Sequence, residues 1–163
     1  MTLIRILSLC GIVSGAMGLA APAAIASDAA PVEIVRLWTA YRSAQSFARL
    51  GQLPKVDHEP GDAIVLRSQP DARDGYYFTV RLRGDNIPDG SVVLQVVPPD
   101  AAKARVFTFP YAAGGRDSVQ LLVGLTGSDW TFGELMPLAW KLEVVDSAGT
   151  VVAGQESFLW RKP

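Results

Sequence analysis

The chain of 163 residues contains one cysteine, Cys10, and one histidine, His58. Cys10 lies inside an apolar N-terminal run and follows Leu9, so it lacks the small preceding residue and the upstream apolar stretch of a lipid-anchored cysteine. Loss of that run leaves a chain without a thiol, which excludes both a disulfide framework and cysteine chemistry. A second imidazole is missing as well. Asp57-His58-Glu59 is the one place where imidazole and carboxylates meet, and three consecutive residues do not converge on one ion, so the expectation is no metal and no cofactor. No serine stands in a recognisable nucleophile motif with His58 as its base. Gly114-Gly115 does not open a helix, which excludes a phosphate cradle there. Long runs of one charge are also lacking. The formal net charge is −1 and the charged residues are scattered, so neither nucleic acid nor an anionic membrane is expected as a partner.

What is present begins at the N-terminus. Arg5 precedes the apolar stretch from Ile6 to Leu19, and Ala24-Ile25-Ala26 follows. A cationic start, an apolar centre and an Ala-x-Ala ending make a signal peptide over residues 1–26. The apolar stretch is diluted by Gly11, Ser14, Gly15 and Gly18 and falls short of the ~20 residues of a bilayer span. Removing residues 1–26 leaves 137 residues, enough for one self-sufficient core. Taking Arg5 from the 15 lysines and arginines leaves 14 against 16 acidic residues, a net −2. The expected location is periplasmic or secreted, with residues 27–163 forming a single domain.

Over that domain, short runs with a period of two are separated by turn residues. Val32–Leu50 has both helical signals (Pro31 ahead, Gly51 after) and a strand-forming first half; an opening strand completes a sheet, and the segment is taken as strand. Residues 51–61 read as a loop, and 63–68 as a short strand with Ile64 and Leu66 on one face. In 76–83, Phe78, Val80 and Leu82 point inward while Tyr77, Thr79, Arg81 and Arg83 point to solvent. Strands follow at 92–97, ended by Pro98-Pro99, at 105–111 and at 119–125. A longer connection spans 126–137. Residues 138–145 direct Trp140, Leu142 and Val144 inward, Asp146–Gly149 forms a hairpin turn, and 151–160 closes the domain with Phe158 and Trp160 on one face, Phe158 inward beside Trp140. Strands of this number, spaced by about 8–12 residues, predict an all-β, antiparallel, immunoglobulin-like sandwich of about 7–9 strands.

Four places in the chain carry a family likeness: Val32-Glu33-Ile34-Val35 with Tyr41-Arg42; Gly75-Tyr76-Tyr77-Phe78; Ile87-Pro88-Asp89-Gly90; and Ala139-Trp140-Lys141-Leu142-Glu143 with Gln155-Glu156-Ser157-Phe158. In these the chain resembles a family of exported bacterial domains of unknown function with an immunoglobulin-like β-sandwich. The likeness covers nearly all of the domain and departs at Thr79, where the family tends to carry a glycine. It implies the fold and export, and no activity.

Two groups of residues carry functional weight. The loop Gly127–Glu134 displays Trp130 and Phe132, which either stack on a sugar ring, with Asp129 and Glu134 accepting from its hydroxyls, or fold back over an open sandwich end; burial of large apolar side chains favours the second. The stripe Tyr77, Arg81 and Arg83 is either an interface or a plain solvated sheet face. The carboxylate pairs Asp129/Glu134 and Glu143/Glu156 carry no catalytic signature. The reading is an exported, non-enzymatic binding protein of the bacterial envelope, its partner a protein or a glycan. The alternatives are a carbohydrate-binding module using Trp130 and Phe132, and a carboxylate-dependent hydrolase.

Overall fold

A computed structural model of the protein describes residues 31–50 and 63–161. Eight strands follow the turn signals: β1 (Glu33–Arg42), β2 (Ala63–Arg67), β3 (Gly75–Arg83), β4 (Gly90–Val97), β5 (Arg105–Tyr111), β6 (Ser118–Thr126), β7 (Ala139–Asp146) and β8 (Val151–Glu156). One short helix, α1 (Ala44–Leu50), follows β1. The strands form two four-stranded sheets, in the orders β1-β3-β6-β2 and β5-β4-β7-β8. We call them sheet A and sheet B. The protein is thus an all-β sandwich. Among the described residues no helix is long and apolar enough to cross a membrane.

Alternation decides what lies between the sheets. Tyr76, Phe78, Val80 and Leu82 of β3 and Val119, Leu121, Val123 and Leu125 of β6 face inward from sheet A. They meet Val92, Leu94 and Val96 of β4, Phe109 of β5, and Leu142 and Val144 of β7. Trp140 packs edge-on against Phe78 with ring centroids 5.4 Å apart, so the inward direction read for Trp140, Leu142 and Val144 is the observed one. Pro110 lies in β5, an edge strand, where the missing N–H leaves no central ladder bond unmade. In the β7–β8 hairpin, Asp146 accepts from the backbone N–H groups of Ala148 and Thr150 at 2.9 and 2.8 Å, and Gly149 takes a φ of 84°, a conformation that suits glycine.

Four expectations need correction. Val32–Leu50 is both things in succession: strand to Arg42, then helix from Ala44. The sandwich is not antiparallel throughout, because β2 runs parallel to β6. β1 is antiparallel to β3, which is antiparallel to β6, so β1 and β2 run the same way at opposite edges of sheet A. A tight hairpin cannot join them; a crossover is needed, and α1 begins it. A side-chain clip fixes the short β2 to the end of β6: the Thr126 hydroxyl accepts from the Gln69 N–H at 3.0 Å and donates to the Gln69 carbonyl at 2.9 Å, and Ser68 Oγ accepts from the Thr126 N–H at 2.9 Å.

The third correction concerns β3. Tyr77 and Thr79 are buried although they point away from the core, at 0% and 2% exposure. Tyr77 lies across Gly124 of β6, where an added Cβ would come within 2.3 Å of the ring. Phe47 of α1 packs on it, centroid to centroid 5.1 Å. The fourth is at the C-terminus. β8 ends at Glu156, and Phe158 stands 74% exposed in a 3-10 turn (Phe158–Arg161) rather than inward; Trp160 in the same turn is half-buried. The Ser157 N–H donates to the Trp140 carbonyl at 2.8 Å, and the Trp140 N–H donates to Ser157 Oγ at 2.9 Å. Ser157 thereby ends the ladder and turns the chain outward.

Phe78→Ala should cost about 3–5 kcal/mol as a large-to-small change in a closed core, and Phe158→Ala should cost under about 0.5 kcal/mol. Urea unfolding of the two variants distinguishes these facings; comparable losses would show that Phe158 belongs to the core.

Candidate functional site

The residues singled out in the sequence fall in three places. Trp130 is buried, 4% exposed, and caps the end of the sandwich: its ring lies 5.0 Å from that of Tyr76 and 5.1 Å from that of Phe132, and its indole N–H donates to the Gly133 carbonyl at 2.9 Å. Phe132 is half-buried against the same core. Of the two arrangements weighed for this loop, folding back over the open end is the one observed, and the Trp130 face that a sugar would stack on is covered. Asp129 ends a 3-10 turn (Gly127–Asp129), and Glu134 is exposed in the loop beyond. Asp57, His58 and Glu59 lie outside the described residues. Among those described, no group of three or more His, Cys, Asp or Glu could hold a metal.

Asp129 borders a cleft of about 380 Å³ on the open side of the sandwich, between the edges of β2 and β5. Val65, Leu66, Phe107 and Phe109 line it, with Arg67 and Ser68 as polar neighbours. Glu143 and Glu156, the second carboxylate pair, sit on the outer face of sheet B as expected. Each has a cationic partner: Lys141 Nζ lies 2.8 Å from Glu143, and Arg161 Nε donates to Glu156 at 2.7 Å. The hydrogen bond to Glu143 holds the Lys141 ammonium above its ordinary pKa.

The stripe Tyr77, Arg81 and Arg83 lies on the outer face of sheet A, where the three residues differ in character. Arg81 and Arg83 are exposed, and Tyr77 is the buried centre of a small cluster. The Tyr77 hydroxyl donates to the Arg73 carbonyl, four residues upstream, at 2.7 Å and accepts from Arg67 Nε at 3.3 Å. Arg67 and Arg42 approach the Phe47 ring, at 5.5 and 6.0 Å from its centroid. Burial raises the pKa of Tyr77, and the neighbouring Arg67 opposes the rise. Sequence reasoning missed Arg36, Arg42 and Arg67, although the period of two along β1 places Arg36 and Arg42 on the Arg81 face once the bulge between Ile34 and Arg36 is known.

It also missed a run of exposed apolar residues. Leu135, Met136 and Leu138 precede β7, and Phe158 and Leu159 follow β8; all five are between 49% and 74% exposed. The paired Trp140 and Ser157 bring the two segments together.

A second buried tyrosine contrasts with Tyr77. Tyr111, 6% exposed, has a buried hydroxyl with no hydrogen-bond partner among the described residues. Burial raises its pKa, and Asp89 and Asp146 add to the rise. Both tyrosines therefore favour the protonated form in the folded state. The stability this lends is complete below the unfolded value of about 10 and is lost as pH climbs through the raised folded-state values. At neutral pH, Tyr77→Phe should cost about 1 kcal/mol because it strands its partners, whereas Tyr111→Phe should cost nothing or stabilise. Above pH ~10 the doubly substituted protein should lose stability less steeply than wild type. Urea melts from pH 7 to pH 11 test both statements. Comparison with protein-family models, with curated proteins and with solved structures gives no match.

Proposed function

We propose that the protein is an exported, non-enzymatic sandwich that binds a protein of the bacterial cell envelope through the end where the β6–β7 connection meets the C-terminal turn. The observation that carries this reading is the exposure of Leu135, Met136, Leu138, Phe158 and Leu159 on two segments joined by the Trp140–Ser157 hydrogen bonds. Monomeric surfaces scatter single apolar residues, whereas contiguous large ones mark contact sites, and methionine and aromatic side chains are enriched there. Export rests on the cationic, apolar and Ala-x-Ala segments of residues 1–26. Release into the periplasm or beyond it follows from cleavage after Ala26.

The sandwich is of immunoglobulin-like kind on this reading. Support comes from Tyr77, near the start of a central strand, whose hydroxyl returns to the backbone four residues upstream as in the tyrosine corner of such domains. The resemblance to exported domains of unknown function points the same way. The parallel β2–β6 pair is this chain's departure.

Two measurements test the proposal. The protein recovered from cells should begin at Ser27 by intact mass; a retained Met1 would remove the export step. Used as bait on envelope extract, purified wild type should enrich a partner that the Met136→Ser/Phe158→Ser variant recovers about tenfold less. Equal recovery by both baits, or none above control, would sink the binding reading.

A further inference from the structure

We infer that one end of sheet B binds a divalent cation, Ca2+ by the chemistry of its donors, on Asp89, Asp146 and the hydroxyl of Tyr111. Register brings the three together. Tyr111 ends β5 and Asp146 ends β7, and both stand opposite Gly90, the first residue of β4. Tyr111 follows the buried Phe109 by two positions and Asp146 follows the buried Val144 by two, so both belong to the inner face. Their backbones are two strand spacings apart, about 10 Å. Gly90 puts no side chain between them, and a Cβ there would run into the Val145 carbonyl. Asp89 immediately precedes Gly90.

Each carboxylate has one oxygen engaged and one to spare. Asp89 Oδ1 accepts from the Gly114 N–H at 3.0 Å, and Asp146 Oδ1 accepts from the Ala148 and Thr150 N–H groups at 2.9 and 2.8 Å. The Oδ2 atoms make no hydrogen bond or ion pair among the described residues. The Tyr111 hydroxyl is buried without a partner among those residues, a costly arrangement that calls for a physical reason. Burial, and then the charges of Asp89 and Asp146, raise its pKa, so both carboxylates act on this oxygen. A cation meets every need at once: it takes the spare carboxylate oxygens, relieves their mutual repulsion and accepts the phenol lone pair.

The donors select the ion. All are oxygen, with no nitrogen or sulfur, which favours a hard cation. Oxygens drawn from a connection and two strand ends suit Ca2+, which tolerates irregular spheres and fills them with carbonyls and water, better than Mg2+, which demands an octahedron. Two carboxylates rather than three make the site weak, with a Kd of about 10⁻⁴–10⁻³ M, the range of extracellular modules. Asp85 and Asp117 on the neighbouring connections add negative charge, against Arg83 and Arg116. Arg116 is itself engaged, its Nε donating to the Ala113 carbonyl at 2.8 Å. The expectation of no metal came from residues adjacent in the chain, whereas these oxygens meet only across strands. The site lies at the opposite end of β7 from the apolar patch proposed above and does not depend on it.

The test follows thermal melting of purified protein in EDTA and with Ca2+ or Mg2+. Calcium at about 10 mM should raise the melting temperature by about 3–5 °C, and magnesium by much less. Asp89→Asn/Asp146→Asn keeps both turn acceptors and removes the charges, and Tyr111→Phe removes only the hydroxyl. In EDTA both variants should melt at or above the wild-type temperature. The double variant should lose the calcium response, and Tyr111→Phe about half of it. Tb3+ occupies Ca2+ sites and emits when an adjacent tyrosine passes it excitation energy. Emission excited through tyrosine should be displaced by Ca2+, fall to background in Tyr111→Phe and persist in Tyr77→Phe. If the double variant melts lower in EDTA, this last comparison decides. An unchanged wild-type melting temperature, an equal calcium response in all variants, or emission indifferent to Tyr111→Phe overturns the inference. So does Mg2+ or Zn2+ stabilising the protein as strongly as Ca2+.

Discussion

The arrangement of this protein depends on the middle of sheet A, where β3 and β6 lie side by side with both of their faces covered over the first half of β3. On the inner side this is ordinary sandwich chemistry, with Phe78, Val80 and Leu82 meeting the apolar side chains of sheet B. On the outer side it depends on one steric allowance: Gly124 carries no side chain, so the Tyr77 ring can lie flat across β6. Tyr77 then gives Phe47 of α1 something to pack on, and Phe47 in turn receives Arg42 and Arg67. Thus the glycine on one strand determines where two cations from opposite edges of the sheet are presented.

Much of the sandwich was legible in the chain because alternation and turn chemistry are local. The strands from 63 onward, the end of β4 at Pro98-Pro99 and the hairpin at Asp146–Gly149 each need only neighbouring residues to be read. What escaped was set by residues far away. Tyr77 and Thr79 look like the wet side of a strand, and the cover over Tyr77 arrives from Phe47, 30 positions earlier. Phe158 continues an apolar pattern, and only the Ser157–Trp140 bonds show that the ladder has already ended. The direction of β2 had no local mark at all, since parallel pairing depends on a connection whose path a sequence does not show. Trp130 and Phe132 behaved as their bulk demanded and took the core.

Charge illustrates the same limit. Read along the chain, the arginines are scattered among acidic residues, and no run suggests an anionic partner. A sheet gathers side chains across strands, however, so residues as distant as Arg36 and Arg81 become neighbours. Sheet B shows the ordinary result, with Lys141 and Arg161 each meeting a glutamate. The two outer faces of one sandwich therefore differ in kind, a difference that net charge conceals.

The β2–β6 pairing bears on how such a chain reaches its final shape. Ala63 has to wait for Gln120 before the short edge strand finds its neighbour, and no hairpin partner is available to it in the meantime. Topologies rich in such remote pairings acquire their order late and slowly. The export proposed above would benefit from that delay, because a chain crossing a membrane in extended form stays slack until its remaining length has followed.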